Sequence, residues 1–291
     1  MNRLMAVEFF KLRKRMMTWI VAVILVGLVI LLYSLLWNIS GHDRTFGEHR
    51  QFTSQDLRRA LFLQSAVPFS LSVVSSFGVI LAVVLAAGAA GSEYSWGTVR
   101  LMATASSGRI RLIAARLIVV FALVTAGTLL AVAVGVAYSS VITFTSGGAD
   151  FHFVTASFLR DQLASLARTL FVVSPYVAIA FAMAVVGRST MTGVGSALGL
   201  AIMEPLVSAL MREAGGFWQD IPRFFINSNL QVILLENKLP DVVPRFGPSP
   251  EELAARHENS PDVAALVLAA YVIIFIGLAF YVYRRRDITA S

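Results

Sequence analysis

Residues 18–37 read TWIVAVILVGLVILLYSLLW, and this stretch decides the fold. It is twenty residues long and carries no charged side chain. A helix of about 20 apolar residues, rising about 1.5 Å each, crosses the roughly 30 Å of bilayer hydrocarbon. The run does not alternate with period two, so it predicts a helix and not a barrel strand. Five further runs share its character, at roughly 68–91, 112–140, 168–187, 190–211 and 262–283. Only Arg188-Ser189 separates the fourth from the fifth, which predicts a tight helical hairpin. A five-span alternative, with 168–211 partly re-entrant, stays open from the residues alone. The basic start followed by an apolar run imitates a signal peptide. The run exceeds the usual core of about 7–15 residues and no small-residue cleavage site follows promptly, so it reads as a retained first span.

Composition agrees. Hydrophobic residues make up 57% of the 291 and charged residues 14%, with a mean hydropathy of +0.74. A soluble domain carries about 45–50% and about 25%, and one of this length has no core large enough to hide the excess. A soluble enzyme is set aside. The expected fold is one all-α integral membrane domain over 1–291, with six transmembrane helices. The chain has no cysteine, which excludes disulfides, thiolate metal sites and a cysteine nucleophile. The net charge of +7 reads as basic flanks beside a membrane and not as a nucleic-acid surface.

Basic residues orient the spans. With both termini in the cytoplasm, the inner segments hold 13 of the 24 basic residues, against the acids Glu8, Glu93 and Asp287. The first outer loop runs against the trend, with Arg44, Arg50, Arg58 and Arg59. Residues 212–261 are the longest outer segment, and five of the nine prolines crowd its second half. Its first half, 221–235, is amphipathic and is expected to dip into the outer interface.

The sequence has no Gly-x-x-x-x-Gly-Lys-Ser/Thr phosphate loop and no His-Glu-x-x-His pair. Its four histidines, His42, His49, His152 and His257, all fall outside the spans, so no metalloprotease or serine protease site forms at bilayer depth. Three other features carry interest. In residues 2–17, Met5, Phe9, Leu12 and Met16 form an apolar stripe, and Glu8, Lys11 and Arg15 line another face. That is an amphipathic helix in the inner interface, or more simply a basic topological flank. The loop after span two presents Glu93, Tyr94, Trp96, Gly97, Thr98 and Arg100, with Arg109 opening the next span. Gly97 allows a bend and Thr98 can cap a short helix over 99–105. The loop is either a docking surface or an ordinary turn with interfacial aromatics. Glu204-Pro205 places an ionisable group inside span five, a functional hypothesis by default. Arg168 is its candidate partner, and the two form either part of a path or a structural pair.

The run Glu93-Tyr94-x-x-Gly97-Thr98-x-Arg100-Leu101-Met102, followed by Arg109 and Arg116-Leu117, resembles the hallmark of exporter-type ABC permeases, the ABC type-two permease family. Three more landmarks are similar and in order. Glu8-Phe9-Phe10-Lys11-Leu12 matches the elbow helix, Ile221-Pro222 the segment after span five, and Arg284-Arg285-Arg286-Asp287 the ending. The chain departs from many members in Ser107-Gly108, where they carry proline, and in Arg116, where they carry lysine. The resemblance implies a permease subunit in the plasma membrane, without an ATPase site or cofactor of its own. ATP and magnesium would bind a separate ABC ATP-binding subunit, docked on a coupling helix within 93–109. It also implies a second permease copy or a sister permease, with Gly195 and Gly199 either at that seam or packed within one subunit. An amphiphilic drug, peptide or lipid suits the apolar spans as cargo. The other readings are a membrane anchor or sensor, and an ATP-independent secondary transporter, which would usually show inverted repeats.

Overall fold

The computed structural model describes residues 2–41, 54–95, 109–146, 152–237, 253 and 258–285. The described residues are helical almost throughout and contain no strand. The helices are α1 (Asn2–Lys14), α2 (Met16–Ser40), α3 (Ser54–Leu61), α4 (Ala66–Val73), α5 (Val79–Ser95), α6 (Arg109–Thr145), α7 (Ala156–Gly187), α8 (Thr190–Ala214), α9 (Ile226–Leu235) and α10 (Pro261–Arg285). A π-helical turn at Val74–Gly78 joins α4 to α5, and a 3₁₀ segment, Gly216–Phe224, precedes α9.

Six helices are long and apolar enough to cross a membrane: Met16–Ser40, Leu63–Ser92, Ile110–Thr145, Ala156–Gly187, Thr190–Ala214 and Pro261–Arg285. All six expected spans are present, and the fourth and fifth are separate helices. Their ends run past the expected ones. The 36-residue third span is about 54 Å long by helical rise, well beyond the hydrocarbon. The fourth begins at Ala156, twelve residues before the expected 168; Arg160 and Asp161 lower the hydropathy of its first turns, which an apolar run alone does not include. Thr155 caps that start, accepting from the Phe158 amide at 3.2 Å.

The second and fourth spans form the centre. In their most apolar windows 61% and 67% of residues are buried, against 11–28% in the other four. Small side chains make this possible. Ala86, Ala87, Ala89 and Ala90 of α5 meet Ala180, Ala182 and Ala184 of α7 in one core. Gly193 admits α8, since a Cβ there would lie 2.5 Å from the Ala180 carbonyl oxygen and 2.8 Å from Ala87 Cβ. Close backbone approach through small residues replaces the hydrophobic drive that lipid does not supply. Gly195 and Gly199 have nothing within 4 Å of an added Cβ, so packing within the subunit belongs to Gly193 and not to them. The α7–α8 hairpin turns on two residues. Arg188 adopts a left-handed conformation (φ 53°), and Ser189 accepts from the Met191 amide at 3.2 Å.

A second core lies toward the far ends of α2 and α6. Tyr33 is fully buried there, edge-on to Phe69 at 4.8 Å, and its hydroxyl donates to the Ala66 carbonyl oxygen at 3.2 Å.

The amphipathic segment 221–235 differs from its expectation. Ile226, Leu230 and Ile233 of α9 are buried in the main core, not presented to an interface. Exposed aromatics sit instead on the preceding 3₁₀ segment, at Phe217, Trp218 and Phe224. Phe225, extended (φ −72°, ψ 151°), separates that segment from α9, and the apolar face of α9 packs inward on the helices.

Candidate functional site

At the end of the bundle that carries the α1–α2 junction, α1 stops at Lys14 and Arg15 is extended (φ −76°, ψ 130°) before α2 begins. The last carbonyls of α1 lack partners of their own in the helix. Thr18 Oγ1 donates to the Leu12 oxygen at 2.7 Å, and Trp19 Nε1 donates to the Arg13 oxygen at 2.9 Å. The first span thus caps the helix before it and sets the bend between them.

The face of α1 turned toward the bundle is not the expected one. The stripe Met5, Phe9, Leu12 and Met16 does not act as one face: Leu12 is buried, while Phe9 and Met16 are 45% and 79% exposed. Glu8, expected with Lys11 and Arg15 on a face other than the apolar stripe, is buried among the helices. Its carboxylate accepts from Arg116 Nε at 3.2 Å, and both side chains are under 5% exposed. Lys11 Nζ stands 3.7 Å away on the more open side. The physical reason is the charge. Arg116 lies two turns into the third span, where an isolated guanidinium is costly to bury, and Glu8 neutralises it. The apolar Val7, Phe9 and Phe10 then face outward.

A second clamp runs from Arg15 to the end of the second span. Its guanidinium donates to the Gly88 carbonyl oxygen at 3.2 Å and to the Ser92 hydroxyl. Ser92 in turn donates to Gly88 at 2.6 Å. So the α1–α2 junction is tied to α5 and α1 itself to α6, the two helices that lead into and out of 96–108. Glu93 and Tyr94 belong to the last turn of α5, and Arg109 is the first residue of α6. Trp96, Gly97, Thr98 and Arg100, with the expected short helix 99–105, lie outside the described residues.

At the opposite end, Glu204 is 6% exposed in α8. Its partner is not Arg168. One carboxylate oxygen accepts from the Ile226 amide; the other accepts from the Asn227 amide at 3.1 Å and from the Tyr176 hydroxyl at 3.4 Å. These amides are the orphan donors at the start of α9, whose N-cap residue, Phe225, has no side-chain acceptor. Glu204 therefore caps a helix 22 residues away in sequence, aided by the favourable sign of the helix dipole. Arg168 serves the other end of α9, donating to the Glu236 carbonyl oxygen at 3.0 Å. Each residue satisfies one end of the same helix, which is why they do not meet. Arg212 adds a tether, donating to Ser228 at 3.2 Å and pairing with Glu258. Asn259 joins it, donating to the Arg223 carbonyl oxygen and to Asn229 Oδ1.

Sequence reasoning missed Arg15, Tyr176, Arg212 and Asn259 as partners. The Glu8–Arg116 pair had one legible signal: Glu8 is the sole acid in a basic helix, and Arg116 stands inside an apolar run. Among the described residues, no group of three His, Asp or Glu side chains is placed to hold a metal ion.

Residues 46–289 match a family described as protein of unknown function, DUF2705. The chain belongs to the DUF2705 family. The DUF2705 match takes in Arg116, Glu204 and the whole α8–α10 assembly, and begins after α1 and α2. No curated protein matches the sequence.

Proposed function

We propose that this chain is the membrane permease subunit of an ATP-driven exporter, working with a separate ATP-binding subunit and a second permease copy or sister permease. In this reading it is a multi-pass protein of the cell membrane with both termini in the cytoplasm. Residues 2–17 form the elbow helix, 93–109 form the coupling loop, and the cargo is an amphiphilic drug, peptide or lipid. ATP and magnesium act in the partner chain.

The observation that carries the reading is the double clamp on α1. Glu8–Arg116 and Arg15–Gly88/Ser92 bind α1 and the α1–α2 junction to the two helices that flank 96–108. A push delivered at that loop therefore reaches α5, α6 and α1 as one body. This is the mechanical property that a subunit driven from outside its own chain requires, because a rigid connected element transmits a displacement that a loose turn would absorb. The four sequence landmarks of the ABC type-two permeases support the same reading.

The test is a tagged pull-down of the chain from its native membrane in mild detergent, with mass spectrometry and an ATPase assay on the eluate. The expected result is a stoichiometric partner carrying a phosphate-loop motif and vanadate-sensitive hydrolysis. A stable, folded chain that brings down no ATPase overturns the proposal.

A further inference from the structure

The outward face of α1 is set by what its inward face takes. Glu8 is the only acid among residues 2–14, and Arg116 holds it inside the bundle. What remains exposed is Val7, Phe9 and Phe10 together with Arg13 and Lys14. This face is apolar and cationic and carries no negative charge. Lys14 Nζ lies over the Phe10 ring, 4.4 Å from its centroid, so the charge sits beside the aromatic surface.

The height of this face relative to a bilayer follows from the chain itself. Lys14 is two residues before Met16, where a 25-residue apolar span begins. Trp19, hydrogen-bonded to the Arg13 carbonyl oxygen, holds the two helices at their bend, and indoles of this kind settle at the membrane–water boundary. Arg13 and Lys14 therefore stand at the headgroup layer, with Val7, Phe9 and Phe10 placed to enter the acyl boundary beneath it.

We propose that the outward face of α1 binds anionic phospholipid, with Arg13 and Lys14 on the headgroup phosphate and Phe9 and Phe10 against the acyl chains. The occupant follows from charge complementarity. A zwitterionic headgroup returns as much positive as negative charge to this face, whereas an anionic one meets two cations and no acid. The inference needs only the membrane span beside α1 and stands apart from the exporter reading.

The experiment uses the full chain in nanodiscs of phosphatidylcholine doped with photoactivatable phosphatidylglycerol or photoactivatable phosphatidylcholine. Labelled peptides are mapped by mass spectrometry. The expected result is labelling of residues 1–19 by the glycerol lipid well above that by the choline lipid. The R13Q/K14Q double variant should lose about twenty-five-fold in that preference, at roughly fivefold per basic residue near an anionic surface. R13K, which keeps the charge, should retain it. Excess inorganic phosphate should not compete. Equal labelling by the two lipids overturns the proposal, as does an undiminished preference in the double variant. Competition by phosphate would assign the face to a free anion. Protection of these residues by a co-purifying protein, with no lipid preference, would assign it to a protein partner.

Discussion

Removing the Glu8 carboxylate while leaving Arg116 in place is the sharpest test of the clamp. The two side chains are 3% and 4% exposed and 3.2 Å apart. At an effective dielectric of about 20, that separation corresponds to roughly 5 kcal/mol of gross attraction. Most of this only offsets desolvation, so the net worth of the pair is small, while removing one member of a buried pair is costly. Breaking a buried pair by truncating one partner typically destabilises by about 3–5 kcal/mol. Glu8→Ala is expected in that range, with Arg116 left buried. The double variant Glu8→Met/Arg116→Met removes both charges and keeps the volume, so it should fall within about 1 kcal/mol of the wild type or exceed it. The assay is reversible unfolding of the purified full chain in mixed micelles, titrated with a denaturing detergent and followed by circular dichroism and tryptophan emission. Two results would refute the reasoning: a Glu8→Ala loss below about 1 kcal/mol, which would place the pair in water where such contacts contribute little, or a double variant as damaged as the single one.

Glu204→Ala should strip the start of α9 of its acceptor and destabilise that helix by about 2–4 kcal/mol, for one buried and one part-buried amide left unpaired. Hydrogen exchange at 226–235 should speed up by at least about tenfold, and Glu204→Gln, which keeps one acceptor oxygen, should lie between. Unchanged exchange in Glu204→Ala would remove the capping role. Gly193→Val should disrupt the α5–α7–α8 contact, since its Cβ already meets Ala180 and Ala87. Gly195→Ala should be neutral or stabilising by up to about 1 kcal/mol, as alanine is the better helix former; equal effects at the two positions would contradict the packing described. On the exporter reading proposed above, Trp96→Ala should leave assembly intact and uncouple hydrolysis in a partner ATPase from transport, and unchanged transport in reconstituted vesicles would argue against loop 93–109 as the docking element.

The spans were legible because their signal is local. Continuous apolar runs such as 18–37 need no knowledge of neighbours, and the two-residue hairpin at Arg188-Ser189 follows from spacing alone. Span ends were less legible. Arg160 and Asp161 lower the hydropathy of the first turns of α7, yet those turns stay helical beyond the hydrocarbon. The polar contacts were the least legible. The side of α1 on which Glu8 falls is decided by Arg116, and the partner of Glu204 is the backbone of a helix whose own cap position holds Phe225. Periodicity sees amphipathic faces, but it does not see a charge that another span has already claimed. The same blindness misassigned α9 to an interface, because an apolar stripe looks alike whether lipid or protein covers it.

The distance along the chain between Glu8 and Arg116 has a consequence in time. They are 108 residues apart, and chains grow at about 5–20 residues per second. For roughly 5–20 s after Glu8 is made, the Arg116 guanidinium that it pairs with in the folded chain does not yet exist. During that interval the Arg15 contacts to Gly88 and Ser92 can form, but the Glu8–Arg116 pair cannot. The N-terminal helix is thus the first element synthesised, yet its buried ion pair closes only once the third span has been made.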